Sequence, residues 1–188
     1  MYKRGRSGVG TLEFLLARRD TSGLRRSQRL ADSIERSVQK ANPPHVVRLA
    51  RYHSERANAY LTLARAVTVA DSARAFDLFR ELSDPECLGC SFRMLMADRL
   101  VFARLLASRG QDREALTLLE GGALGDVSHE VERNMEIGRI AARLGDRDRA
   151  IAAYAWVTRV WQNGDPPVAR YARNAATEIA RLEGRRGP

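Results

Sequence analysis

Three short stretches hold residue types that phosphate binding, metal binding or redox chemistry would need. Gly5-Arg6-Ser7-Gly8-Val9-Gly10-Thr11 has the glycines and hydroxyls of a phosphate-binding loop. Such a loop sets a lysine beside its Ser or Thr and sits between a buried strand and a helix. No lysine stands there, and only four residues precede Gly5, so a basic glycine-rich arm fits better. Cys87 and Cys90 have the spacing of a redox dithiol, a local disulfide or half a zinc site. A structural zinc site takes four ligands. No second cysteine pair exists, and His129 is the only histidine after the motif, so two structural thiols remain the plainest reading. His45, His53 and His129 are scattered and form no triad with a nucleophile. Asp146 and Asp148 beside Gly145 read as turn and helix-start residues. Tyr154, Trp156 and Trp161 have the residue types of a nucleic-acid stacking platform. Their spacing of two and five suits core contacts better. Nothing here assembles a catalytic, cofactor or metal set, and the expectation is a protein that binds rather than reacts.

The elements that would position a binding surface are helices. Hydrophobic residues make up 44% of the 188 residues and aromatics only 6%, a balance that suits close-packed helices. Apolar residues recur every three or four positions in successive segments. Leu12, Phe14, Leu15 and Leu16 predict a short helix, and Thr21-Ser22-Gly23 a break. Leu30, Ile34 and Val38 mark a helix from Leu24 to about Ala41, ended by Pro43-Pro44. A long helix follows from about His45 to Thr68. Asp71 is read as the N-cap of a helix through Leu82. Helices are expected over about 91–109 and 111–120, with Gly110 as the stop between them. Ile137, Ile140, Ala141 and Leu144 mark the next. After the Gly145-Asp146 turn, Ala150, Ile151, Tyr154, Val157 and Trp161 mark another. Asp165-Pro166-Pro167 leads into a last helix with Val168, Tyr171, Ala172, Ala175, Ala176, Ile179 and Leu182 on one face. Its other face, Arg170, Arg173, Asn174, Glu178 and Arg181, is read as solvent-facing.

Charge is unevenly placed. Of the net +9, the first 30 residues carry +6, from eight lysines and arginines against Glu13 and Asp20. Lys3, Arg4, Arg6, Arg18, Arg19, Arg25 and Arg26 therefore define a basic arm, centred on residues 1–23, ahead of a domain over 24–183 and a tail over 184–188. Such an arm suits phosphates of nucleic acid, an anionic membrane surface or a neighbouring subunit. No run of 18 or more apolar residues marks a membrane span, and no secretory leader is evident. The expected location is cytoplasmic, or extracytoplasmic if the sequence is part of a longer membrane-anchored chain.

Ala75, Ala115 and Ala150 stand 40 and 35 residues apart, each followed four residues later by a large apolar group, Phe79, Leu119 or Tyr154. Gly110 and Gly145 stand five before the last two, whereas the first repeat has Ala70 there. With this register, Glu130–Gly164 resembles a tetratricopeptide repeat, a helical hairpin with a period of about 34 residues. The latter half also resembles the C-terminal repeat tracts of bacterial regulatory and signalling proteins. The resemblance implies an all-α, right-handed solenoid of antiparallel helical hairpins with a C-terminal capping helix. A single hairpin cannot bury its apolar face alone, so several must stack.

The resemblance further implies that the first helix of each hairpin lines a concave groove. Arg104 and Arg139, 35 residues apart, then occupy equivalent groove positions. Arg143 joins them one turn on, and Tyr60 and Leu100 add aromatic and apolar contacts. Guanidinium groups in a row suit an acidic partner, because arginine binds carboxylates through paired hydrogen bonds. The competing expectation is that they pair with Glu132, Glu136 and other local carboxylates. The function expected is a non-enzymatic protein–protein interaction scaffold, adaptor or assembly subunit, without cofactor. The alternative is a helical-repeat nucleic-acid binder that uses the basic arm.

Overall fold

Proline and glycine punctuate a chain that is otherwise helical. In the computed structural model, which describes residues 11–39, 43–68, 70–83, 94–121 and 129–184, the regular elements are α1 (Thr11–Ala17), α2 (Thr21–Val38), α3 (Pro44–Arg65), α4 (Ala73–Leu82), α5 (Met96–Ser108), α6 (Asp112–Glu120), α7 (Glu130–Arg143), α8 (Arg147–Trp161) and α9 (Pro166–Leu182). No strand occurs among the described residues, so the chain is all-α there. Pro44 opens α3 and Pro166 opens α9 at first-turn positions, where proline's missing N–H and fixed φ cost nothing. The Cys87–Cys90 loop, the glycine-rich stretch before Thr11 and the tail from Arg185 lie outside the described residues.

The chain divides into two compact units, Met1–Ala97 and Asp98–Pro188. In the first, α1 packs on α2 and α3, α2 on α3, and α3 on α4. Leu12, Leu24, Ala57, Tyr60, Leu61, Ala75 and Phe79 are buried there. The expected break at Thr21-Ser22-Gly23 is instead the first turn of α2. The Asp20 side chain accepts a hydrogen bond from the Gly23 N–H at 2.8 Å and satisfies a donor the helix start leaves open. Gly23 also lets α1 approach, since a Cβ there would sit 2.6 Å from the Leu15 side chain. Leu30 and Ile34, whose spacing marks this helix, are 63% and 48% exposed. The face that α2 turns to α3 is partly polar, with Ser54 Oγ donating to Asp32 Oδ1 at 2.6 Å and Gln28 Nε2 to Asn58 Oδ1 at 3.4 Å. Asp71 does not cap α4. It accepts from the Thr68 N–H at 2.9 Å, while its own N–H donates to Thr68 Oγ1 at 3.1 Å, and the Thr68 bonds hold its carboxyl below the usual range.

In the second unit α6 packs on α7, α7 on α8, and α9 on both α8 and α7. The ends of α5 and α7 are built alike. The N–H of Gln111 bonds the Leu106 carbonyl at 3.0 Å and that of Gly110 the Ala107 carbonyl at 3.1 Å. Thirty-five residues on, Asp146 bonds Ala141 at 2.9 Å and Gly145 bonds Ala142 at 3.2 Å. Both turns close the last carbonyls of a helix in the same six-residue pattern. Both need a left-handed residue, and Gly110 and Gly145 each have φ of +77°. The two turns, 35 residues apart, thus share one backbone geometry. Val131, Met135, Ala141, Ala150, Tyr154, Val157 and Ala175 form the core joining α7, α8 and α9, with Trp156 and Trp161 packed against it. Arg133 of α7 donates from Nε to the Leu119 carbonyl at 2.8 Å, and Arg149 of α8 pairs with Glu120 of α6 at 2.8 Å.

Candidate functional site

A glycine lets two helices of the second unit approach closely. A Cβ on Gly138 would lie 2.5 Å from Tyr154 Cε1 and 2.6 Å from Cζ. Only glycine lets the ring come this close to the α7 backbone, and Tyr154 in turn lines a cleft of about 520 Å³ between α7 and α9. Arg139 and Arg143 of α7 face Asn174, Glu178 and Arg181 of α9 across it. Met135 and Ala142 supply an apolar wall.

Glu136 organises the positive charge. Its side chain is only 8% exposed, and Oε2 accepts from Arg139 Nη1 at 3.0 Å and from Arg104 Nε at 3.3 Å. These two arginines, 35 residues apart in sequence, therefore converge on one carboxylate oxygen. Each stays half exposed, and the trio keeps a net positive charge. Arg143 reaches back to α6, with Nη2 2.7 Å from Asp112 Oδ1 and Nε 3.2 Å from Oδ2. This two-pronged pairing pushes its pKa further up. Arg181 pairs through Nη2 with Glu178 at 2.8 Å. Local carboxylates thus partner all these guanidiniums, yet none is used up. Arg139 spends one of its five N–H groups on Glu136.

Tyr60 and Leu100, expected as groove contacts, are buried at 0% and 2% exposure. Tyr60 packs edge-on to Phe79 with ring centroids 5.3 Å apart and has Arg56 on its ring. Both are core residues with no surface to offer. Of the basic arm, Lys3, Arg4 and Arg6 lie outside the described residues. Arg18, Arg19, Arg25 and Arg26 are exposed on α1, α2 and their junction, with Arg18 over the Phe14 ring at 5.4 Å.

Sequence reasoning read Asn174 and Glu178 as solvent-facing and Tyr154 as a core contact, not as parts of a binding surface. The signal was present, because Asn174 and Glu178 stand 35 residues after Arg139 and Arg143. Burial is the main cause of the raised Tyr154 pKa, followed by the negative charge of Glu178, while Arg139 and Arg181 oppose them. A raised folded pKa means the folded state holds the phenolic proton more tightly. Its contribution is complete below the ordinary value near 10 and is lost as pH rises through the folded value. Thermal melts from pH 8 to 11.5 should therefore show the wild type losing stability above about pH 10 relative to Tyr154→Phe. Parallel curves would mean that this phenol does not titrate differently on folding.

No family model, curated protein or solved structure matches the chain. Among the described residues, no group of three His, Cys, Asp or Glu side chains is placed to hold a metal. No helix among them is long and apolar enough to cross a membrane.

Proposed function

We propose that the chain is a tetratricopeptide-like interaction module that binds an acidic peptide segment along the face built by α5, α7 and α9. In this reading the helices pair as antiparallel hairpins, α5 with α6 and α7 with α8, and α9 closes the series. The observation that carries it is the meeting of Arg104 and Arg139 on Glu136. Repeat-equivalent positions converge on one surface and leave it net positive. The matching turns at Gly110 and Gly145 support the hairpin geometry. The cleft beside Arg139 extends the surface onto α9 with further donors. A partner here is held by charge-assisted hydrogen bonds from groups already in place, which favours carboxylate-rich chains.

The test is a binding titration of the full chain with a hexaglutamate peptide, against a hexaserine control. Arg104→Gln/Arg139→Gln keeps a donor for Glu136 while removing both charges. It should weaken hexaglutamate binding about tenfold, on the order of 1.5 kcal/mol. Equal affinity for the two peptides, or no change in the variant, would sink the reading. A short duplex DNA and a single-stranded RNA serve as parallel ligands. Tighter binding of either, lost on replacing Arg25 and Arg26, would shift the function to the basic α1–α2 surface.

A further inference from the structure

Tyr154 is a buried tyrosine whose hydroxyl has no hydrogen-bond partner among the described residues. The residue is 1% exposed, yet it lines the cleft. Its hydroxyl oxygen is not among the sealed polar atoms that lack a partner; Trp161 Nε1 is that case. The cleft end of the side chain is therefore the part left open. The backbone carbonyl of Tyr154 accepts from Thr158 Oγ1 at 3.1 Å, but the hydroxyl makes no hydrogen bond within the described residues. The charges that act on it are those of Glu178, Arg139, Arg181 and Glu136, all at the cleft.

The surroundings say what would satisfy it. Arg139 has used only Nη1. Arg143 has used Nε and Nη2, and Arg181 Nε and Nη2. Each guanidinium keeps N–H groups uncommitted, and the Asn174 amide adds two more. Of the acceptors, Glu178 Oε2 is held by Arg181. Donors thus outnumber acceptors around an unpartnered hydroxyl in a cleft of about 520 Å³. A cation would meet three arginines, and a neutral apolar group would leave the donors facing nothing.

We propose that Tyr154 anchors an oxyanion subsite, in which its hydroxyl and the Arg139, Arg143, Arg181 and Asn174 donors hold one carboxylate or phosphate group of the ligand. This rests on the acidic-peptide reading above and makes Tyr154 a ligand-binding residue as well as a packing one. Gly138 sets the depth of the subsite, since it fixes how close the ring lies to α7.

The test uses the full chain with three probes: hexaglutamate, a peptide with a single phosphoserine, and inorganic phosphate. Tyr154→Phe keeps the ring and removes the oxygen, so its urea midpoint should stay near wild type. Its affinity for the preferred probe should fall about tenfold. Asn174→Ala, at an exposed α9 position, should lower affinity several-fold without touching the core. Ligand should also produce a tyrosine difference spectrum in the wild type that Tyr154→Phe lacks. Preference for hexaglutamate assigns the group as a carboxylate. Preference for the phosphoserine peptide, with competition by inorganic phosphate, assigns a phosphate. Wild-type affinity in both variants, with Arg104→Gln/Arg139→Gln still impaired, overturns the subsite and leaves the groove standing. No binding of any probe by the wild type overturns both.

Discussion

Tyr154→Ala should lower the unfolding free energy of the Asp98–Pro188 unit by about 3–5 kcal/mol, the range for emptying a large aromatic from a core. Tyr154 is 1% exposed and joins α7, α8 and α9 through Met135, Val157 and Ala175. Its ring also lies directly against the α7 backbone at Gly138, which has no side chain of its own to fill the space the ring would leave. Urea unfolding followed by fluorescence reads this unit selectively, because Trp156 and Trp161, the chain's two tryptophans, both lie on α8. A loss below about 1 kcal/mol would mean that the ring is not packed as described.

Arg104→Met/Arg139→Met should cost about 3 kcal/mol, whereas Glu136→Gln should cost less than about 1 kcal/mol. The asymmetry follows from exposure. The Glu136 carboxylate is nearly sealed at 8%, while each guanidinium is half in water. Removing both arginines takes away the two hydrogen-bonded counter-charges of a nearly sealed carboxylate. Removing the acid merely returns two arginines to solvent. The same urea series decides the matter, and similar losses in the two variants would show that Glu136 has another source of solvation. This is also why charge reversal is a poor probe of the groove. Placing glutamates at 104 and 139 would crowd three carboxylates together and confuse folding with binding.

The two helices α7 and α8 and the turn between them at Gly145 were legible in the sequence because their determinants are local. A left-handed glycine, a capping Asp146 and small residues at fixed offsets depend on no distant partner. The α2 start was misread for a related reason. Thr21-Ser22-Gly23 looks like a break until the Asp20 side chain is seen to close it. Tyr60 and Leu100 show the limit of register reasoning. Period tells which residues are equivalent but not which face is buried, and both residues went to the core. Asn174 and Glu178 show the converse. A polar face on a terminal helix reads as solvated, and nothing in composition distinguishes open solvent from a cleft wall. Leu30 and Ile34 kept the spacing of a packed face while the helix packed partly through Gln28 and Asp32.

The contact between Gly138 and Tyr154 has a consequence for how such a chain can change over generations. Alanine at 138 would drive a methyl into the phenol ring, and the ring is held by core on its other sides. Glycine therefore cannot drift there while an aromatic remains at 154. The reverse order is open only at the cost of the emptied core, since a smaller residue must come first at 154. The two positions form an epistatic pair in which the history of one restricts the other. Any lineage that trades the aromatic away gains a freer helix at 138 and gives up part of the lining of its cleft in the same step.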